Sequence, residues 1–328
     1  MERSLAPFML APMLLLSAQS PLPPAASPPP PPVTGMAAPA EPTIDEIMFG
    51  EAGTRMTVPV QIAGAGPYGF VIDTGAQRTV IARELASKLG LAAGRSVRLT
   101  AMTETSDVGT VVIPSISVST LGGLAIEAPA LGARNLGAAG MLGIDSLQRH
   151  SLAIDFERQT MAVSPSNRRT KRQRALPGEI VVTAKNMYGQ LVVTDAFVNG
   201  KRVRVILDTG SAVTMGNQAL RKRIARRDRK VVPIDLISVT GGTLTADYGR
   251  INDVKIGEVT IADLPIAFAD AAPFRVFGLE DTPALLLGMD ALKLFRRVNI
   301  DFANRELRLA LPKNAREEFR PGWSAAPG

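Results

Sequence analysis

The chain has 328 residues, 46% of them apolar, with 29 Gly, 25 Pro and a formal net charge of +7. That length and apolar content suit two folded domains with cores of their own and exclude a disordered or coiled-coil protein. Cysteine is absent and histidine occurs once, at His150, which excludes disulfide frameworks, thiolate nucleophiles, Cys-based zinc sites and a Ser-His-Asp triad with an ordered base.

The first twenty residues, "MERSLAPFMLAPMLLLSAQS", place Arg3 before an apolar stretch over 5–16 and then small residues. This reads as a signal peptide over 1–20, and the mature protein is expected to be exported, to a bacterial periplasm. The apolar stretch is short for a bilayer span, so the alternative is a membrane anchor formed by an uncleaved N-terminal segment. Residues 21–43 are Pro/Ala-rich and make a stiff, extended tether that cannot pack a core.

A first module is expected over 44–164. "MTVPVQIAGAGPYGFVIDTGAQ" predicts a strand pair running into Asp73-Thr74-Gly75-Ala76, and "ARELASKLG" a short helix closed by Gly90. "TAMTETSDVG" over 100–109 reads as an exposed hairpin, "GMLGIDSLQRH" as an apolar pair before a helical turn, and "LAIDFERQTMAV" as a closing hairpin. His150 lies in this region with nothing to order it as a base, and reads as a surface or helix-end residue. A basic linker, 165–178, follows.

The second module, 179–312, repeats the order. "EIVVTA" over 179–184 reads as an opening strand, although it resembles the short extended box by which outer-membrane transporters meet their energising partner. "LVVTDAFVNGKRVRVILDTGSA" carries a hairpin at Asn199-Gly200, where both residues accept positive φ, and runs into Asp208-Thr209-Gly210-Ser211. "NQALRKRIARR" predicts a helix, "TGGTLTADYG" over 240–249 another hairpin, and "LLLGMDALKLF" and "VNIDFANRELRL" match the end of the first copy. From Asp to the later Gly is 70 residues in the first copy (Asp73 to Gly143) and 80 in the second (Asp208 to Gly288). The difference points to a loop insertion near 269–283, and residues 313–328 form a tail.

The positive excess sits mainly in "RRTKRQR" (168–174) and "RKRIARRDRK" (221–230). Such runs suit peripheral contact with anionic lipid or envelope polymers; the plainer reading is a solvated linker and a solvated helix face. No aromatic residues are interleaved with them, so nucleic acid is not expected as a partner.

"IDTGA" with "MLG", and "LDTGS" with "LLG", resemble the two signature segments of the retropepsin-like aspartic proteases, and the resemblance covers about 54–312. It implies an all-β fold with short helices: two tandem closed β-barrel modules facing across a cleft, a pepsin-like pseudo-dimer within one monomeric chain. It implies an aspartic endopeptidase acting on an extended protein or peptide, with Asp73 and Asp208 catalytic and neither cofactor nor metal. Two carboxylates about 3 Å apart share one proton; the ionised partner deprotonates water while the protonated one hydrogen-bonds the scissile carbonyl. By the same resemblance, Thr74 and Thr209 hydrogen-bond across the interface, Gly75 and Gly210 keep the loops narrow, and Leu142-Gly143 and Leu287-Gly288 brace them. One hairpin is expected as a flap, and the second, with Gly241, Gly242 and Tyr248, is the better candidate.

Ala76 and Ser211 break the symmetry. A Ser211 hydroxyl donating to Asp208 predicts that Asp73 carries the shared proton and Asp208 the charge. Two rivals stand beside the protease: a catalytically inactive peptide-binding module of the same fold, and an oligomer in which each copy pairs with one from another chain. A basic surface adhesin rests on the charge runs alone.

Overall fold

In a computed structural model, the structure describes residues 46–312 apart from 49, 53–54, 119–120, 170–173, 177, 188 and 225–230. The expected signal peptide, tether and tail, and residues 170–173 and 225–230 of the two basic runs, lie outside the described residues. Among the described residues no helix is long and apolar enough to cross a membrane.

Each copy opens with a hairpin whose alternation dictates its faces. In Arg55–Ile62, Met56, Val58, Val60 and Ile62 are buried while Pro59 and Gln61 are exposed. Its partner Ala65–Ile72 ends in the buried triplet Phe70-Val71-Ile72 immediately before Asp73. The second copy does the same with Gln190–Val198 and Lys201–Leu207. Asn199 and Gly200 turn with φ of 47° and 71°, and Ala63 and Gly64 adopt the equivalent pair, 49° and 78°, in the first copy.

From there the two sheets follow one plan. Ala65–Ile72 pairs in parallel with Gly140–Leu142, and Lys201–Leu207 in parallel with Ala284–Leu287. Short strands Val80–Ala82 and Met215–Gly216 run beside these, each leading to a predicted helix, Arg83–Lys88 and Gln218–Ile224. The long hairpin Ala93–Thr100 with Thr105–Val118 extends the first sheet, and Val232–Ile237 with Thr243–Ile251 the second. Pairing of Arg55–Ile62 with Thr105–Val118 closes the first sheet on itself, so the all-β, barrel-like character expected from the sequence is observed.

The two copies are joined by backbone hydrogen bonds. The closing hairpin of the first copy, His150–Asp155 with Thr160–Pro165, lies edge to edge with Arg297–Asp301 of the second, Leu152 opposite Ile300. Glu306–Ala310 and Glu179–Met187 continue that sheet. "EIVVTA" is therefore a doubly paired strand: Val182 faces Leu307, and Ala184 faces Val193. That burial of its edges leaves no exposed box for a partner. His150 begins a strand instead of ending a helix, half-buried, and burial lowers its pKa.

The insertion over 269–283 is packed structure. It contains the helix Ala272–Val276, and Phe274 and Phe277 fill an apolar cluster with Val192, Ile206 and Leu286. Full burial of a phenylalanine contributes about 2–3 kcal/mol. Asn217, fully buried, ties the insertion down, donating to the Leu279 and Thr282 carbonyls and accepting from the Leu220 and Ala284 amides.

Candidate active site

The two Asp-Thr-Gly loops meet at the centre of this frame. Each aspartate leaves the end of a buried strand, and its amide is held by the neighbouring strand: Asp73 N–H donates to Leu142 O at 2.9 Å, and Asp208 N–H to Leu287 O at 3.0 Å. The loop then returns, with Ile144 N–H on Ala76 O and Met289 N–H on Ser211 O, both 2.9 Å. A Cβ on Gly288 would lie 2.7 Å from the Val213 carbonyl carbon, and Gly143 abuts the Arg78–Thr79 peptide in the same way. Only glycine admits so close a backbone approach. The bracing pairs Leu142-Gly143 and Leu287-Gly288 therefore sit directly beside the loops.

The threonines lock the loops reciprocally. Thr74 N–H donates to Thr209 Oγ1 and Thr209 N–H to Thr74 Oγ1, each at 3.1 Å. Each hydroxyl donates in turn to the other module, Thr74 Oγ1 to Leu207 O at 2.9 Å and Thr209 Oγ1 to Ile72 O at 2.7 Å. Both threonines are buried, so these four bonds have little competition from water.

The glycines show how close the carboxyls come. A Cβ on Gly75 would lie 2.7 Å from Asp208 Cγ, and one on Gly210 would overlap the Asp73 carboxyl. Each loop thus presents its bare glycine to the other module's aspartate, and the two carboxyls face one narrow gap. Asp73 Oδ1 accepts from the Gly75 and Ala76 amides, both at 2.8 Å. Asp208 Oδ1 accepts from Gly210 and Ser211 at 3.0 and 3.1 Å.

The expected source of asymmetry is corrected here. The Ser211 hydroxyl donates to Val213 O at 2.7 Å, so it gives Asp208 no bond that Ala76 fails to give Asp73. Burial raises the pKa of both aspartates. Asp208 is pushed up to about 8, first by burial and then by repulsion from Asp73. Asp73 has two shorter amide bonds and the positive charge of Arg55 acting to lower its pKa. The shorter amide bonds and Arg55 favour the charge on Asp73 and the proton on Asp208, opposite in sense to a Ser211–Asp208 bond.

Two supporting pairs escaped sequence reading. Thr79 donates its amide and hydroxyl to Asp145 at 2.9 and 2.7 Å, while its Oγ1 accepts from Gly143 N–H at 3.1 Å. Thr214 and Asp290 do the same at 2.9 and 2.6 Å, with Gly288 N–H at 3.1 Å. The signal was present: each threonine follows its aspartate by six residues and each acid follows its Leu-Gly glycine by two.

The tips of the two long hairpins meet. Gly241 and Gly242 lie at the tip of the second; a Cβ on Gly242 would be 3.1 Å from Thr103 Cβ at the tip of the first. Ala272 N–H donates to Met102 O at 2.9 Å, and Met102 packs against the second copy's Phe274 cluster. Val239 packs in return against the core that includes the first copy. Tyr248 lies near the base of its hairpin, opposite Val232, and joins the same Phe274 cluster. Beside the tips is a pocket of about 300 Å³ lined by Arg83, Glu104, Asp107, Val108, Asn135 and Val239, and neither aspartate lines it.

Two loops that meet reciprocally bring the buried carboxyl of Asp73 and the half-buried carboxyl of Asp208 to one gap, an arrangement of the kind paired-carboxylate chemistry needs. The model of the aspartyl protease family matches the chain over residues 58–146 and again over 194–291, together more than half its length. The protein belongs to the aspartyl protease family. No curated protein matches the chain.

Proposed function

We propose that the chain is an exported aspartic endopeptidase that hydrolyses extended polypeptides with water activated between Asp73 and Asp208. The observation that carries this reading is the reciprocal placement of Gly75 against the Asp208 carboxyl and of Gly210 against that of Asp73. Ionised Asp73 takes a proton from a water molecule, whose oxygen attacks the scissile carbonyl carbon. Asp208 donates its proton to the carbonyl oxygen as the tetrahedral gem-diol forms. Asp73, now protonated, gives its proton to the amide nitrogen. The C–N bond then breaks, and Asp208 recovers a proton from the collapsing diol. The atoms balance without a covalent intermediate.

Substrate lies extended beneath the two hairpins, its backbone hydrogen-bonded as an added strand and its side chains in alternating pockets. In this reading the pocket lined by residues of both copies beside Val239 serves as one such subsite, and the apolar surface where Met102 of the first copy meets Val213 of the second as another. Export rests on the apolar N-terminal stretch, and both basic runs suit contact with an anionic envelope surface. The test is release of acid-soluble peptides from unfolded casein across pH 3 to 9. Turnover lost in Asp73→Asn supports the protease; casein binding without turnover in the wild type indicates an inactive peptide-binding module.

A further inference from the structure

The strand register makes Arg55 and Gln190 counterparts. Thr57 faces Val71 and Val192 faces Ile206, so each of the two side chains lies at the foot of its copy's first hairpin, 18 residues before its aspartate. They behave differently. Arg55 turns into its own copy and donates to Leu136 O at 2.6 Å. Gln190 crosses to the other copy, where its Nε2 donates to the carbonyl of Gly75. The crossing is fixed by the turn before it: Gly189, at φ +92°, packs so tightly on the first copy's helix Ile144–Leu147 that a Cβ would lie 3.1 Å from Ile144.

The peptide that Gln190 grips is the one joining Gly75 to Ala76. Its carbonyl accepts from Gln190, and its N–H, that of Ala76, donates to Asp73 Oδ1 at 2.8 Å. A donor at the carbonyl polarises the peptide and strengthens its N–H as a donor to the anion. The matching peptide of the second loop has no side-chain donor on Gly210 O among the described residues, and its N–H reaches Asp208 at 3.1 Å. Gln190 is 2% exposed, and its Oε1 has no hydrogen-bond partner among the described residues. Turning the amide over would set that oxygen against the Gly75 carbonyl, so the nitrogen must face it. A buried acceptor left unmatched is destabilising, which is a poor arrangement for a residue whose role is only to hold the fold.

We propose that Gln190 is a positioning residue that, through the Gly75–Ala76 peptide, makes Asp73 the ionised member of the pair. This rests on the two-aspartate reading of the site. The charge acting on Asp73 is Arg55, with Asp208 acting on it through a hydrogen bond, and the charge acting on Asp208 is Asp73; Asp145 and Asp290 are engaged with Thr79 and Thr214.

The test compares wild type, Gln190→Met and Gln190→Arg in the full chain. Methionine keeps the volume and removes the donor; arginine keeps a donor and carries the side chain of the counterpart position. Two readouts are taken: the pH profile of kcat/KM on unfolded casein, and titration of ¹³C-labelled aspartate carboxyls by NMR, which needs no turnover. In Gln190→Met the lower titration step and the acid limb both rise by about half a pH unit, with thermal stability unchanged or higher. Gln190→Arg keeps both at or below the wild-type position. Superimposable titrations in wild type and Gln190→Met overturn the inference, as does an unfolded Gln190→Met alongside an Arg variant that folds but titrates upward. A shifted titration in a chain without turnover keeps the inference and sinks the protease reading; turnover with no shift does the opposite.

Discussion

Thr209→Val is the sharpest single perturbation of the junction between the copies. Valine keeps the shape and removes one hydroxyl. Thr209 Oγ1 accepts from Thr74 N–H at 3.1 Å and donates to Ile72 O at 2.7 Å, at a residue with no exposed surface. The substitution orphans one buried donor and one buried acceptor, each costing about 1–3 kcal/mol when water cannot replace the partner. With partial relaxation the expected loss is about 2–4 kcal/mol, a large share of a total stability of about 5–15 kcal/mol. That corresponds to a fall in Tm of about 5–15 °C. Urea denaturation of wild type, Thr209→Val and Thr209→Ser measures it, with Thr209→Ser, which keeps the hydroxyl, losing about 1 kcal/mol. Thr74→Val removes a separate pair of bonds, from Thr74 Oγ1 to Leu207 O and from Thr209 N–H to Thr74 Oγ1, so it is expected to cost about as much again, about 2–4 kcal/mol, on either background. A single-variant loss under about 0.5 kcal/mol, or a Thr74→Val that costs almost nothing once Thr209→Val is present, refutes the reasoning.

The pH dependence of stability follows from the raised pKa values of both aspartates. The folded dyad holds its protons more tightly than the unfolded chain, so its contribution is complete below about pH 4 and lost as pH rises. The loss runs toward about 8, where Asp208 titrates. Urea midpoints are therefore expected to fall from pH 4 to 8 in the wild type and to stay flatter in Asp208→Asn; parallel curves contradict this. Gly288→Ala places a methyl 2.7 to 2.9 Å from the backbone of Val213 and Thr214, and is expected to destabilise by about 1–3 kcal/mol, read by thermal melting. Met102→Ser loosens the meeting of the hairpin tips, lowering kcat/KM on casein while leaving the limbs of the pH profile in place, because Met102 packs on the Phe274 cluster and is not among the groups that shift either aspartate.

What was legible in the sequence was local or repeated. Asn199-Gly200 announces its turn by residue type alone, and the doubled Asp-Thr-Gly with its later Leu-Gly exposes the two loops and the strands that brace them. Thr79 with Asp145 and Thr214 with Asp290 were written in the same repeat but hidden by the ordinariness of threonine and aspartate near turns. The joining sheet left no local trace, since Leu152 and Ile300 meet only after the chain has folded. The Ser211 hydroxyl could have turned either way, and its choice of Val213 O depends on loop geometry that residue identity does not fix. Gln190 was invisible for the opposite reason: it is where the repeat fails, standing opposite Arg55 with different chemistry.

The most direct test of the account is hydrolysis of unfolded casein by Asp73→Asn, by Asp208→Asn, and by an equimolar mixture of the two chains. A single site assembled within one chain leaves all three samples without turnover, while wild type at the same concentration cleaves. Activity recovered on mixing would show that aspartates pair between chains, and activity retained by either variant alone would mean that hydrolysis does not depend on this pair.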